Sequence, residues 1–132
     1  MVRRHDWASR LFAVADEHQD RSFAWGVNDC CLFVARCIDA MTDSDLEAQI
    51  LSRYSDVDSA RAFVLEYGLL SVAVSHYLGE PVTRSPQRGD AVLIHGGEDY
   101  AVGICLGSQI AAMGPTGLRM LPLSEVIKVW PV

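Results

Sequence analysis

A cysteine at the predicted start of a helix is the residue of this sequence whose type and position could carry chemistry. Cys30 follows Asn28 and Asp29, either of which could cap a helix, and precedes residues with helical apolar spacing. A cysteine in the first helical turn meets unpaired backbone N–H groups and the positive end of the helix dipole, and both favour the thiolate. Cys30 is therefore a candidate nucleophile. The negative charge of Asp29 opposes this role, and a small structural cysteine is the alternative.

The helix that begins near Cys30 is predicted to be buried, because Leu32 and Phe33 widen its apolar stripe to most sides. Other helices are predicted for residues 7–17, 42–54, 58–67 and 69–78. After a segment rich in turn residues, short β-prone runs follow at residues 91–94, 101–106, 110–113, 118–121 and 127–130. Helices first and an antiparallel meander second predict an α+β layout, in a single domain over residues 1–132.

Composition and charge exclude several classes of function. The 132 residues carry 17 acidic and 11 basic side chains, with a formal charge of −6 and no basic stripe, so nucleic acid is not an expected partner. The apolar runs are far shorter than the roughly 20 residues of a membrane-spanning helix. The N-terminus has no apolar region typical of a secretory signal. We therefore expect a protein made in the cytoplasm, without a membrane span.

The cysteines and histidines do not have the spacing of a disulfide framework or a metal site. Two of the four cysteines are adjacent, and the set contains no C-x-x-C pair, so free thiols are expected. The histidines of the helical and terminal segments lack a paired ligand at i+3 or i+4: His5, His18 and His76. No metal and no cofactor are therefore expected.

Three segments, in the same order, resemble motifs of the NlpC-type cell-wall cysteine peptidases. Residues 23–34 (FAWGVNDCCLFV) resemble the G-x-x-D-C-S-G-L-V segment that opens the catalytic helix of that family. Residues 86–94 (PQRGDAVLI) and 101–107 (AVGICLG) resemble its P-G-D-L-V-F-F and H-V-G-I-Y-L-G strands. The resemblance implies a papain-like, NlpC-type fold, in which the helix that bears Cys30 packs on a C-terminal antiparallel sheet.

The sequence departs from the family pattern at the residue that should accept the thiol proton. Ala101 stands where the active peptidases have histidine, and alanine cannot act as a base. His95, at the end of the preceding predicted strand, is a candidate base across a hairpin whose turn is predicted around residues 96–99. A solvated histidine at a strand end is the alternative. Trp25 and Asp29 are candidate binding residues, although a position in the core or in a groove wall is the favoured interpretation of Trp25.

A compact branch of small phage and prophage proteins is more similar still. It shares the W-G-x-x-D-C opening and a G-L-x-x-x-P-L tail that ends near a tryptophan, here Trp130. This resemblance implies a degenerate peptidase with a structural or assembly role, made in the bacterial cytoplasm and incorporated in a phage tail or tail tip. Other tail or baseplate proteins would be its partners.

Two alternatives stay open. One is an active cysteine peptidase or amidase that cleaves peptidoglycan stem peptides, with Cys30 as nucleophile and His95 as base. The other is a cytoplasmic assembly or partner-binding factor that is absent from the finished particle. Peptidase activity would distinguish the first from a degenerate peptidase of the phage tail, and absence from purified virions would distinguish the second.

Overall fold

The computed structural model describes residues 2–96 and 99–132, and within them helices precede strands. The helices are α1 (Trp7–His18), α2 (Cys30–Thr42), α3 (Leu46–Leu51), α4 (Val57–Tyr67) and α5 (Leu70–Leu78). The strands are β1 (Ala91–Gly96), β2 (Asp99–Cys105), β3 (Gln109–Gly114), β4 (Gly117–Pro122) and β5 (Val126–Trp130). The predicted α+β layout, with helices first and an antiparallel sheet second, is confirmed.

The strands form one antiparallel sheet in the order β4-β3-β2-β1-β5. β1 and β2 form a hairpin whose pairing begins with Ala91 opposite Ile104. The predicted hairpin turn includes residues 97–98, which lie outside the described residues. β2 and β3 pair only at Ile104 with Ala111 and at Cys105 with Ile110. The first part of β2 therefore has no strand partner on its β3 side.

Helix α2 lies centrally on one face of the sheet, where it also contacts α1 and α3. Its apolar side chains pack in one cluster with the residues of β1 and β2 that point to this face. The strand residues of this cluster include Ala91, Leu93, Val102 and Ile104. The prediction of a buried central helix is confirmed.

The opposite face of the sheet carries a second apolar cluster, to which only strand residues contribute in the described chain. Its fully buried members are Val92, Ile94, Cys105, Ile110, Ala112 and Val129. They come from strands as far apart in the sheet as β3 and β5. The strand side chains therefore bury one another on this face.

One predicted helix boundary is wrong. A single helix over residues 42–54 was expected, but Thr42 is the last residue of α2. The C-cap residue Asp43 has a left-handed φ of 62°, which ends the helix. α3 then begins at Leu46, because the Asp39 carboxylate on α2 accepts from the N–H groups of Leu46 and Glu47 at 2.8 and 3.0 Å. A side chain from one helix thus caps the next. Among the described residues, no helix has the length and apolarity to cross a membrane.

Candidate functional site

The turn that leads into α2 is closed by its own backbone. The N–H groups of Val27 and Asn28 both donate to the carbonyl of Ala24, at 3.1 and 2.8 Å. Gly26 has a φ of 77°, and a Cβ at this position would lie 2.2 Å from the carbonyl oxygen of Ser55. This conformation and this close approach require glycine. The glycine of the Trp-Gly pair in the motif is therefore explained by local geometry.

Trp25 lies at the surface of this turn. Its side chain is 38% exposed, and its ring meets that of Phe23 edge-on at 5.1 Å. The alternative of a core residue is therefore wrong. As a wall or contact residue beside the site, Trp25 stays a prediction.

Asp29 caps α2, as predicted, and it is completely buried. One carboxylate oxygen accepts from the N–H of Leu32 at 2.9 Å and the other accepts from the N–H of Gly26 at 3.0 Å. The hydroxyl of Tyr54 donates to both oxygens, at 3.0 and 2.9 Å. These donors compensate a charge that would otherwise be costly to bury. Asp29 can act on a ligand only by positioning Cys30.

Tyr54 is the site residue that sequence reasoning missed. It lies in the loop between α3 and α4, is 4% exposed, and its ring packs 5.6 Å from that of Phe63. Burial raises the pKa of its hydroxyl, which stays protonated and available as a donor. Its contact with Asp29 spans 25 positions of sequence. Local patterning therefore contains no signal for it.

Cys30 is the first residue of α2 and is 6% exposed. Hydrogen bonds from the thiol of Cys31 and from the backbone at Val102 lower its pKa, although burial and the Asp29 charge oppose this change. The same contact with Cys30, together with burial, raises the pKa of Cys31. Cys30 is therefore the member of the pair that ionises first. All four cysteines of the chain are free thiols.

The backbone of β2 before Ile104 is not paired with β3, and this bears on the contacts of Cys30. Successive N–H groups of a strand point to opposite sides. The N–H of Cys105 donates to the carbonyl of Asp90 on the β1 side, at 2.9 Å, so the N–H of Val102 points to the β3 side. No β3 residue pairs with β2 before Ile104. The backbone of Val102, which has no β3 partner, is the group whose hydrogen bond lowers the pKa of Cys30.

Ala101 precedes Val102 in β2 and pairs with Ile94, which belongs to the cluster on the face opposite to α2. Its side chain is half-buried and contacts both apolar clusters. The methyl group that stands there can neither accept nor donate a proton.

His95 lies farther along the hairpin, at the exposed end of β1. It pairs with Tyr100, and the two rings are 5.4 Å apart. Strand alternation directs it to the same sheet face as Leu93 and Val102, which is the face that α2 covers. No hydrogen bond joins His95 to Cys30 within residues 2–96 and 99–132.

Arg36, one turn into α2, ties the turn to its surroundings. Its guanidinium donates to the carbonyl of Val27 at 2.6 Å and to the side-chain oxygen of Asn28 at 3.1 Å. It also pairs with Glu47 of α3 and contacts the ring of His18 at 3.1 Å. One side chain thus connects the turn before Cys30 with α1 and α3.

His18 is buried and neutral. Its Nδ1 lies 2.9 Å from the carbonyl oxygen of Val14, to which it donates, so Nε2 must accept from Arg36. Burial lowers the pKa of His18, and the charges of Arg21 and Arg36 lower it further. Sequence reasoning considered His18 only as a metal ligand. Among the described residues, no three His, Cys, Asp or Glu side chains are grouped closely enough to hold a metal ion.

A family model matches nearly the whole chain. The profile of a domain of unknown function (DUF6950) covers residues 2–132. The chain belongs to this family. The turn, α2 and the sheet therefore all lie within the DUF6950 domain. No curated protein matches the sequence.

The chemistry open to this DUF6950 site follows from its contacts. A thiol at a helix start, with hydrogen bonds from Cys31 and the backbone at Val102, can form a thiolate. Transfer of its proton during a reaction needs a base within hydrogen-bonding reach. Among the described contacts of Cys30 there is no such group.

Proposed function

We propose that this DUF6950 domain is a non-hydrolytic relative of the papain-like, NlpC-type peptidases that serves structure or assembly in a phage or prophage tail. The observation that carries the proposal is that alanine occupies position 101, where the resemblance expects the base, while no histidine of the described residues forms a hydrogen bond with Cys30. The kinship is supported by a cysteine at the start of a central helix, packed on an antiparallel sheet. It is also supported by the three motif resemblances.

The absent base argues against hydrolysis on physical grounds. The members of a Cys-His pair act as a unit, and loss of one costs orders of magnitude in rate. Cys30 instead has structural contacts, because its sulfur accepts from the sheet and its residue begins α2. The proposed tail partners rest on the resemblance to small phage proteins in the segment before Cys30 and in the tail that ends near Trp130.

The first experiment compares hydrolysis of peptidoglycan stem peptides by the wild-type chain, Cys30→Ser and Ala101→His. We expect no cleavage by the wild type. We expect Ala101→His to accelerate alkylation of Cys30 by iodoacetamide near pH 6 about tenfold, because a neighbouring histidine lowers a thiol pKa. Ile127→His, at an exposed position of β5, which β1 separates from β2, is the matched control. Wild-type cleavage that Cys30→Ser abolishes and Cys31→Ser spares would overturn the proposal.

A second experiment tests the place in the particle. Purified virions should contain the chain in stoichiometric amounts, and Cys30→Ser should leave assembly and infectivity intact. Presence in lysates but not in virions would favour a cytoplasmic assembly factor instead. A loss of infectivity by a Cys30→Ser chain that is still folded would point to chemistry at the sulfur.

One observation favours an active peptidase as the second candidate. His95 is exposed on the sheet face that α2 covers, so its ring is directed to the Cys30 side. If His95 serves as base, His95→Ala should remove a histidine-dependent step from the pH profile of Cys30 alkylation. His76→Ala, which changes an exposed histidine on α5, is the control. Identical profiles for both variants and the wild type would exclude this role.

A further inference from the structure

A cavity of about 50 Å³ lies between α2, α5 and the first two strands. Its walls come from α2, α3, α5, β1 and β2, and they include Cys31, Ile38, Leu70, Val74 and Val102. No charged side chain lines it. Cys31 and Val102 also contact Cys30, so the cavity is next to the site but does not include the candidate nucleophile. A void with such walls stays dry.

Helix α5 covers this cavity without filling it. Only Ala73 of α5 is fully buried, whereas Leu70 and Val74, which face the cavity, are half-buried. On the outer side Val72 is exposed, and Leu69, directly before the helix, is 63% exposed. A helix that is apolar on most sides is normally enclosed by protein. Here the inner side of α5 packs on the core around the cavity, while Val72 and the preceding Leu69 are exposed to solvent.

Both ends of α5 are glycine joints. Gly68 and Gly79 each have a φ of 86°, and a Cβ at either position would meet nothing within 4 Å. Both glycines have a conformation that other residues rarely adopt, so they separate α5 from the segments on either side. Apolar side chains of α5 pack on the core, and among the described residues one hydrogen bond joins the helix to the sheet: the indole N–H of Trp130 donates to the hydroxyl of Ser75 at 3.0 Å. This hydrogen bond is the polar contact that would have to break if α5 moved.

We propose that this cavity binds the end of an uncharged aliphatic chain, and that α5 moves about Gly68 and Gly79 to admit it. The lining excludes a charged group, because a charge would have no partner there. The volume is about a third of the roughly 150 Å³ of an apolar cavity that takes benzene, so about two or three carbons fit before α5 moves. A longer chain requires displacement of the helix. This site is independent of the proposed peptidase kinship.

Xenon and 1-hexanol are the probes, with methyl resonances of the folded chain as the readout. Xenon fits the cavity as it stands, and 1-hexanol fits only if α5 moves. We expect saturable shifts of the lining methyl groups with both. Ala73→Val, which adds about two carbons toward the void, should weaken xenon binding at least tenfold. Ser71→Val on the same helix but outside the lining should bind as the wild type does, and Ala35→Val gives a second filling variant from α2.

The hydrogen bond between Ser75 and Trp130 distinguishes the moving cover from a static cavity. Ser75→Ala removes the hydrogen bond to Trp130 and should strengthen 1-hexanol binding several-fold, while xenon binding stays unchanged. Shifts that rise linearly with probe concentration, or that Ala73→Val and Ala35→Val leave unaltered, would show that the void binds nothing specifically. Equal 1-hexanol affinity in Ser75→Ala and wild type would refute the movement of α5.

Discussion

The buried hydrogen bond between Tyr54 and Asp29 provides the most direct test of how the site is held. Tyr54→Phe removes one hydroxyl and leaves the ring, with its packing on Phe63, in place. The Asp29 carboxylate then keeps only the N–H donors of Gly26 and Leu32. In the described chain no arginine, lysine or histidine forms an ion pair with Asp29. The loss is therefore a hydrogen bond to a buried charge, without a replacement.

The expected cost can be worked out from this geometry. A hydrogen bond to a charged group contributes about 1.5–3 kcal/mol to the free energy of unfolding. For 132 residues, at about 2.1 cal/mol/K per residue, the unfolding entropy is about 280 cal/mol/K. A loss of about 2 kcal/mol therefore lowers Tm by about 7 °C. The range of contributions corresponds to a decrease of about 5–11 °C.

Urea denaturation and thermal melts of wild type, Tyr54→Phe and Tyr100→Phe would measure this. Tyr100 is the control, because its side chain is exposed and packs on His95 rather than on the carboxylate. We expect the control to change stability by less than about 0.5 kcal/mol. The same small change in Tyr54→Phe, with unchanged denaturant slope, would refute the reasoning. It would mean that the two N–H groups alone compensate Asp29.

Two further predictions concern the elements around the turn. His18 is held neutral, with a pKa below its usual value of about 6.5, so the unfolded chain binds a proton that the folded chain does not as pH falls from about 6.5. Stability to urea should therefore decrease as the pH falls from about 6.5 to the lowered pKa of His18. His18→Gln should make stability less dependent on pH over this range. The same pH dependence in the variant and the wild type would contradict the conclusion that His18 is buried in its neutral form. Gly26→Ala should destabilise more than Gly68→Ala, because both positions have positive φ but only the first brings a Cβ to 2.2 Å from a backbone oxygen. We expect about 1–2 kcal/mol for Gly68→Ala and clearly more for Gly26→Ala, and equal costs would show that the turn gives way without strain.

The arrangement of elements could be predicted from the sequence because its signals are local. Asp29 before Cys30 and Gly68 after Tyr67 mark helix ends, and the structure has helix ends at both places. The boundary between α2 and α3 could not be predicted in this way. It depends on the Asp39 side chain, which caps a helix seven residues later across a bend. Capping from another helix leaves no sign in the capped segment.

In the candidate site, too, the local contacts could be predicted from the sequence and the long-range contacts could not. The turn and the Asp29 cap involve contacts within three or four residues, so residue types at fixed spacing predict them. Tyr54 and the backbone of Val102 enter from distant segments. The second contact depends on where the pairing of β2 with β3 begins, far along the chain from Cys30. Sequence periodicity does not contain that information.

The parting of β2 and β3 gives the sulfur of Cys30 a role that requires no reaction. In most sheets the partner of a strand amide is a carbonyl oxygen, whereas the backbone at Val102 forms a hydrogen bond with the sulfur of a helix residue. Serine at position 30 would keep an acceptor, although a smaller one, at the start of α2. A buried thiol can thus serve packing at this position, and a chain with serine in its place is expected to assemble.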